Sequence, residues 1–138
     1  MKKAISFNMQ DISVDQFAIL CNSIPSEGRY RTDMQIGVDK ENKAVAIRMK
    51  VTYCDANEKE LLLIQVTCMF SVKLEDWNKL LREDGKITFP HDFLAHLAIH
   101  TFGTMLGILY CKTVGSPIGA QILVPTNVDE LVPQEFTI

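Results

Sequence analysis

The sequence predicts an α+β fold: a four-stranded antiparallel sheet meander, a long helix packed on one of its faces, and a short C-terminal helix. Two observations carry this. Several segments in the first half alternate apolar and polar residues with period two, joined by short polar connectors. The second half contains "FLAHLAIHTFGTMLGILYC", residues 93–111, nineteen residues without a formal charge.

The first strand is read from "ISFNM", where Ile5, Phe7 and Met9 alternate with Ser6 and Asn8. In "YRTDMQIGV", Tyr30, Thr32, Met34, Ile36 and Val38 form one face. In "VAIRMKVTY", Val45, Ile47, Met49, Val51 and Tyr53 do the same. The fourth strand, "LLLIQVTCMFSV", is apolar on both faces. Leu62, Ile64, Val66, Cys68, Phe70 and Val72 lie on one, and Leu61, Leu63 and Met69 load the other, which predicts a central or doubly covered position. The connectors "DKENK" and "DANEKE" are short enough for hairpins. The link "DISVDQFAILCNSIPSEG" is too apolar for an ordinary solvated loop. It reads either as a short helix tucked on the core or as a hydrophobic crossover lining a groove.

"LEDWNKLLRED" has helical spacing at Leu74, Trp77, Leu80 and Leu81, and Gly85 is read as its stop. Pro90 suits a first helical turn and Asp92 its positive end, so the long helix is expected from about Pro90 to Lys112. With 138 residues and no linker or repeat, the chain is expected to form one domain, 1–138.

Charge and composition exclude some functions. Seventeen acids against fourteen bases, without a basic run, argue against nucleic acid. The two lysines of "MKKAISFNMQDIS" precede no apolar core, so a cytoplasmic, uncleaved chain is expected. Cys21, Cys54, Cys68 and Cys111 are scattered, as expected for reduced and mostly buried thiols; Cys68 is read as core rather than as a nucleophile. Trp77 and Tyr110 are read as packing residues. No phosphate loop or nucleophile elbow is present, so a non-enzyme without a cofactor is expected.

The uncharged helix admits three readings. A membrane span has the right length, but the helix follows an amphipathic sheet, and two histidines, two threonines and two glycines dilute it. A metal site would use His96 and His100, which share a helix face four residues apart. "HLAIH" lacks the Glu of the metalloprotease pattern, and nothing in the sequence completes the ligand set, so no metal is expected. The third reading is an interface. On a wheel of 100° per residue, Asp92, His96, His100, Gly103 and Gly107 lie within about 80°, and every other direction is mostly apolar. Such a helix must be covered nearly all round, and one sheet covers one side. A second subunit is the expected cover, with the five-residue stripe at the contact and a homo-oligomer, dimer or tetramer, as the product.

The chain also resembles a family. "CMFSV", then "FPHDFLAHLAIHTFGTMLG", then "VPTNVDEL" is similar to the bacterial export chaperone SecB and its SecB-like relatives, on Phe70 and Val72, Phe89 and Pro90, and Pro125, Asn127 and Leu131. "ISFNMQDISV" resembles the family's first strand and crossover start. The resemblance implies a dimer of dimers with the long helices between sheets. It also implies binding of unfolded polypeptide in hydrophobic grooves beside the crossover and the last helix. Carried over, the groove is Phe17, Ile19, Leu20 and Ile24 with Val128, Leu131 and Val132. The segment after "VPTNVDEL" lacks the family's longer helix and polar tail for the translocase motor SecA, because Pro133 limits the helix to about two turns. "FPHDFLAH" lacks the family's Arg and Glu at the helix start, and the net charge of −3 is mild. Export through that motor is therefore in doubt, and a generic holdase or a toxin–antitoxin-linked accessory protein stays open.

Overall fold

A computed structural model describes residues 4–123 and 127–138; Pro125 lies outside them. Four strands form one antiparallel sheet in the order β1-β4-β3-β2: β1 Phe7–Ile19, β2 Arg29–Asp39, β3 Ala44–Cys54 and β4 Glu60–Val72. Helix α1, Leu74–Leu80, and the short strand β5, Thr88–Pro90, lead into α2, His91–Thr113. A 3-10 helix, Val128–Leu131, and strand β6, Glu135–Thr137, complete the chain, with β6 pairing β5.

Strands β2, β3 and β4 are the expected meander, and period two sets their faces. Val45, Ile47, Met49, Val51 and Tyr53 of β3 are buried under α2, as are Leu62, Ile64, Val66, Cys68, Phe70 and Val72 of β4. Strand β4 is central, between β1 and β3, as its doubly apolar pattern predicted. Each fully buried side chain of this layer, such as Ile47 or Val66, stabilises the fold by about 1.5–3 kcal/mol. Both hairpin turns use aspartate as a local acceptor. Asp39 takes the Asn42 amide, and Asp55 takes the Asn57 and Lys59 amides.

Strand β1 differs from expectation. It does not end near Met9, and no helix follows; residues 11–19 continue the strand along β4. Two register irregularities explain why the alternation is hidden. Gln10 is an extra residue between the pairs Met9↔Phe70 and Asp11↔Met69, and Asp15 between Val14↔Val66 and Gln16↔Gln65. Each β-bulge admits one residue without a partner and so resets the alternation. The apolar residues then fall opposite the helix-side row of β4: Phe7 on Val72, Met9 on Phe70, Ile12 on Cys68, Val14 on Val66, Phe17 on Ile64 and Ile19 on Leu62. Spacings of two, three, two, three and two look neither like a strand nor like a helix.

Helix α1 is also shorter than predicted. Leu81 leaves it to bridge Ile87, and Gly85, at φ 82°, turns the chain back, with the Arg82 amide donating to the Lys86 carbonyl. The glycine serves a tight turn, not a helix cap. Trp77 is buried with its ring edge-on to Phe89, 5.9 Å between centroids. The short C-terminal helix is a single 3-10 turn.

The remaining sheet face is open and polar at its centre, while Thr52 and Cys54 at one end of it are buried. Arg48 Nε donates to Thr67 Oγ1 at 3.1 Å, Thr67 donates to Asp15, and Ser13 Oγ donates to Asp15 at 3.0 Å. Partial burial pushes the Asp15 carboxyl up, but the Thr67, Ser13 and Gln65 hydrogen bonds and the Arg48 charge outweigh it. The group sits below the ordinary aspartate value.

Candidate functional site

Helix α2 begins at the predicted place: Pro90 precedes it in extended conformation, Asp92 sits in its first turn and Lys112 in its last. One side, with Leu94, Leu97, Ala98, Met105 and Leu109, is buried on β3 and β4. Thr101 and Thr113, also buried, satisfy their hydroxyls by donating to the Leu97 and Leu109 carbonyls at 2.9 and 2.7 Å. The helix is long and apolar enough to cross a membrane by length and composition, but half of that stretch is buried inside the chain.

The predicted stripe faces outward. Asp92, His96, His100, Gly103 and Gly107 are all exposed in the single chain, and so are Ile99 (56%) and Tyr110 (46%) beside them. Tyr110 is thus only about half covered by its own chain. The rings of His96 and His100 stack at 5.1 Å, and both meet the edge of Phe7, at 5.5 and 5.8 Å. Phe7 also touches Phe70 and Phe93, so one ring ties β1 to the start of α2. Among the described residues, no three His, Cys, Asp or Glu side chains are grouped to hold a metal ion. A Cβ added at Gly103 or Gly107 would meet nothing within 4 Å. The chain's own packing therefore does not require either glycine.

The seven residues assigned to a groove fall into two groups. Phe17, Ile19, Leu20 and Ile24 lie toward the C-terminal end of α2, where Lys112 Nζ sits 5.3 Å from the Phe17 ring centre. Val128, Leu131 and Val132 lie at its N-terminal end, where His91 meets Asp129 and the Pro133 carbonyl. At 1.5 Å per residue, α2 is about 34 Å long, so one chain does not unite them. In exposure they also differ. Leu20 is half exposed and Phe17, Ile19, Ile24 and Leu131 are partly buried, whereas Val128 and Val132 are buried. Cys54 and Cys68 are core, burial raising the Cys68 thiol pKa; Cys21 is partly exposed and Cys111 exposed.

Two features were missed in the sequence. The first is the row Met9, Ile12 and Val14 on the helix side of β1, exposed by 38%, 47% and 41% because α2 covers β3 and β4 instead. Its spacing is broken by the bulges. The second is His91, to which the sequence assigns no role of its own. Its Nε2 lies 2.8 Å from Asp129 Oδ1 and its Nδ1 3.0 Å from the Pro133 carbonyl oxygen. Sequence carries no signal for a contact spanning 38 residues.

No protein-family model matches the chain, and no curated protein matches it. Among solved structures, the chain is similar to the Mycobacterium tuberculosis Rv1957 SecB-like chaperone, solved in complex with a ChAD peptide from the Rv1956 HigA1 antitoxin. The TM-score is 0.54 at 15% identity, covering 88% of this chain and 91% of that one. A protein of unknown function from Streptococcus agalactiae matches at TM-score 0.44 and 13% identity, over 88% of this chain and 99% of that one. The fold is α+β and SecB-like.

Proposed function

We propose that this protein is a chaperone-like binding protein that holds unfolded or partly folded polypeptide on apolar surface, without nucleotide and without catalysis. The observation that carries the reading is the exposed apolar tract formed by Met9, Ile12 and Val14 of β1 and by Ile99 and Tyr110 of α2, on a SecB-like fold. Apolar area of this kind gains about 25 cal/mol per Å² when covered. Part of the tract is the contact with a second copy, with the Asp92, His96, His100, Gly103 and Gly107 stripe at its centre. Each glycine costs about 1 kcal/mol relative to alanine in a helix interior, and close approach of a neighbouring helix offsets that cost. If two α2 helices pair antiparallel about a two-fold, each chain's Phe17 group reaches the end of the neighbouring helix that carries the Val128 group. Client segments would then bind where the two groups meet, with affinity summed over several weak sites.

The test is direct. Purified protein should sediment as an oligomer and slow aggregation of a chemically denatured client without added nucleotide; Phe17→Ser with Leu20→Ser should weaken this several-fold while leaving the oligomer intact. A protein that neither slows aggregation nor binds unfolded chains refutes the reading. A second reading, a dedicated accessory of one folded partner, draws on the antitoxin peptide held by the mycobacterial neighbour. A single stoichiometric partner together with no general holdase activity would favour it.

A further inference from the structure

The C-terminal strap, comprising the 3-10 helix Val128–Leu131 and β6, is closed over the start of α2 by three devices. The β5–β6 ladder pairs Thr88↔Thr137, Phe89↔Phe136 and Pro90↔Glu135, extended by reciprocal backbone bonds between Ile87 and Ile138 at 2.9 and 3.0 Å. Val128 and Val132 insert into the core, each 5% exposed. The third device is His91, which spans the start of the helix and the strap through both of its ring nitrogens.

The partners of that ring decide its protonation state. Pro133 offers a carbonyl oxygen, which only accepts; Asp129 offers a carboxylate, which also accepts when ionised. A neutral imidazole has one N–H and one lone pair, so one nitrogen would face an acceptor without a proton between them. Only the imidazolium donates to both. Among the described residues, the other ionisable groups around the ring have the same sign as Asp129. Asp92 follows it on α2, and Glu135 of β6 lines the same cleft of about 510 Å³, whose α1 and β5 walls contribute Leu80, Thr88 and Pro90. The α2 N-terminus opposes a cation there. The Pro133 carbonyl and then the Asp129 carboxylate outweigh the opposing effect of burial, and the group sits above the ordinary histidine value.

We infer that His91 is a proton-operated latch: its imidazolium adds to the closure of the strap over Val128 and Val132, and deprotonation removes that contribution, so that the strap opens more often and uncovers them. The sign follows from linkage. A group whose pKa is higher in the closed form adds to closure below its open-form pKa, near 6.5, and that contribution is lost as pH rises through the higher, closed-form pKa. Each unit of difference between the two values is a tenfold change in the closing equilibrium. The inference goes beyond polypeptide binding and does not depend on it.

The experiment follows the full-length protein by NMR between pH 5.5 and 8.5. It records the His91 ring titration, assigned with His91→Gln, and hydrogen exchange of strap amides such as Val132 and Phe136, corrected for the intrinsic pH dependence. The expected result is a His91 pKa above 6.5 and a loss of strap protection across that titration, with protection of Ile47 and Val66 unchanged. Asp129→Asn, a change at a side chain 62% exposed, should lower the His91 pKa and flatten the pH dependence together. His96→Gln and His100→Gln should alter neither. A His91 pKa at or below 6.5, or strap protection that is flat through the titration, overturns the latch. Neither readout uses a client, so failure of the aggregation assay leaves the result standing.

Discussion

Gly28→Ala tests how the loop before β2 is packed. Gly28 is not in the left-handed region, so alanine fits its backbone. In open space the exchange would stabilise the protein by about 0.4–1 kcal/mol through the unfolded chain. The space is not open. A Cβ there would lie 2.2 Å from Tyr53 Cζ and 2.3 Å from its hydroxyl oxygen. The Tyr53 ring is 6% exposed, donates to the Pro25 carbonyl at 2.6 Å and packs on Tyr30 at 4.7 Å. Moving it sacrifices a hydrogen bond worth about 0.5–1.5 kcal/mol and adds overpacking of about 1–3 kcal/mol. Net destabilisation of about 2–3 kcal/mol is expected after the unfolded-state gain. Urea unfolding of the wild type, Gly28→Ala, Tyr53→Leu and the double variant measures it. Leucine lacks the atoms that clash, so in the Tyr53→Leu background Gly28→Ala should become stabilising, and the coupling between the sites should approach about 3 kcal/mol. A Gly28→Ala protein as stable as wild type, or a double variant that simply adds the two single effects, refutes the packing argument.

Asp76, 6% exposed, accepts the Ser6 amide at 2.8 Å; Asp76→Ala should cost about 1–3 kcal/mol and speed hydrogen exchange at the beginning of β1. Met105→Ala, on the buried side of α2, should cost about 2–5 kcal/mol, whereas Ile99→Ala on the outer side should change chain unfolding by about 0.5 kcal/mol or less and be read in sedimentation instead. The Asp15 carboxyl is depressed in the fold, so its contribution is present above its unfolded value, near pH 3.9, and is lost as pH falls through the lower folded value. Asp15→Asn should remove that part of the acid unfolding limb, and an unchanged limb would show that the Thr67 and Arg48 contacts contribute nothing.

What could be read from sequence follows from how locally each feature is determined. The faces of β2, β3 and β4 depend only on period two. The start of α2 depends only on Pro90 and Asp92, and these features agree with the structure. Strand β1 failed because Gln10 and Asp15 are polar residues like any others in sequence; only pairing against β4 makes them bulges. Gly85 was misassigned because a glycine after a helical pattern is as apt for a turn as for a cap, and the Leu81–Ile87 bridge decides between them. On α2 the wheel put the stripe on one face, and that face is exposed in the single chain, but it could not say which flank the sheet would take. Ile99 and Tyr110 became surface because α2 sits over β3 and β4 rather than over β1. The two groups of groove residues were joined by resemblance alone, and α2 keeps them apart.

That placement of α2 also fixes the side from which a partner gains most. On the open sheet face, Asp15, Ser13, Thr67 and Arg48 already satisfy one another, so covering them replaces solvated contacts with others of similar strength. On the helix side, β1 presents a complete apolar row, of which Phe7 and Phe17 are partly covered and Met9, Ile12 and Val14 are not. The bulges at Gln10 and Asp15 keep that row on one face. Without them, period two would turn Ile12 and Val14 toward the polar side. Bulges also interrupt the strand's outer edge, which discourages indiscriminate pairing while leaving the side-chain row intact. A strand built this way gains more from a surface laid on its helix side than from another strand added at its edge.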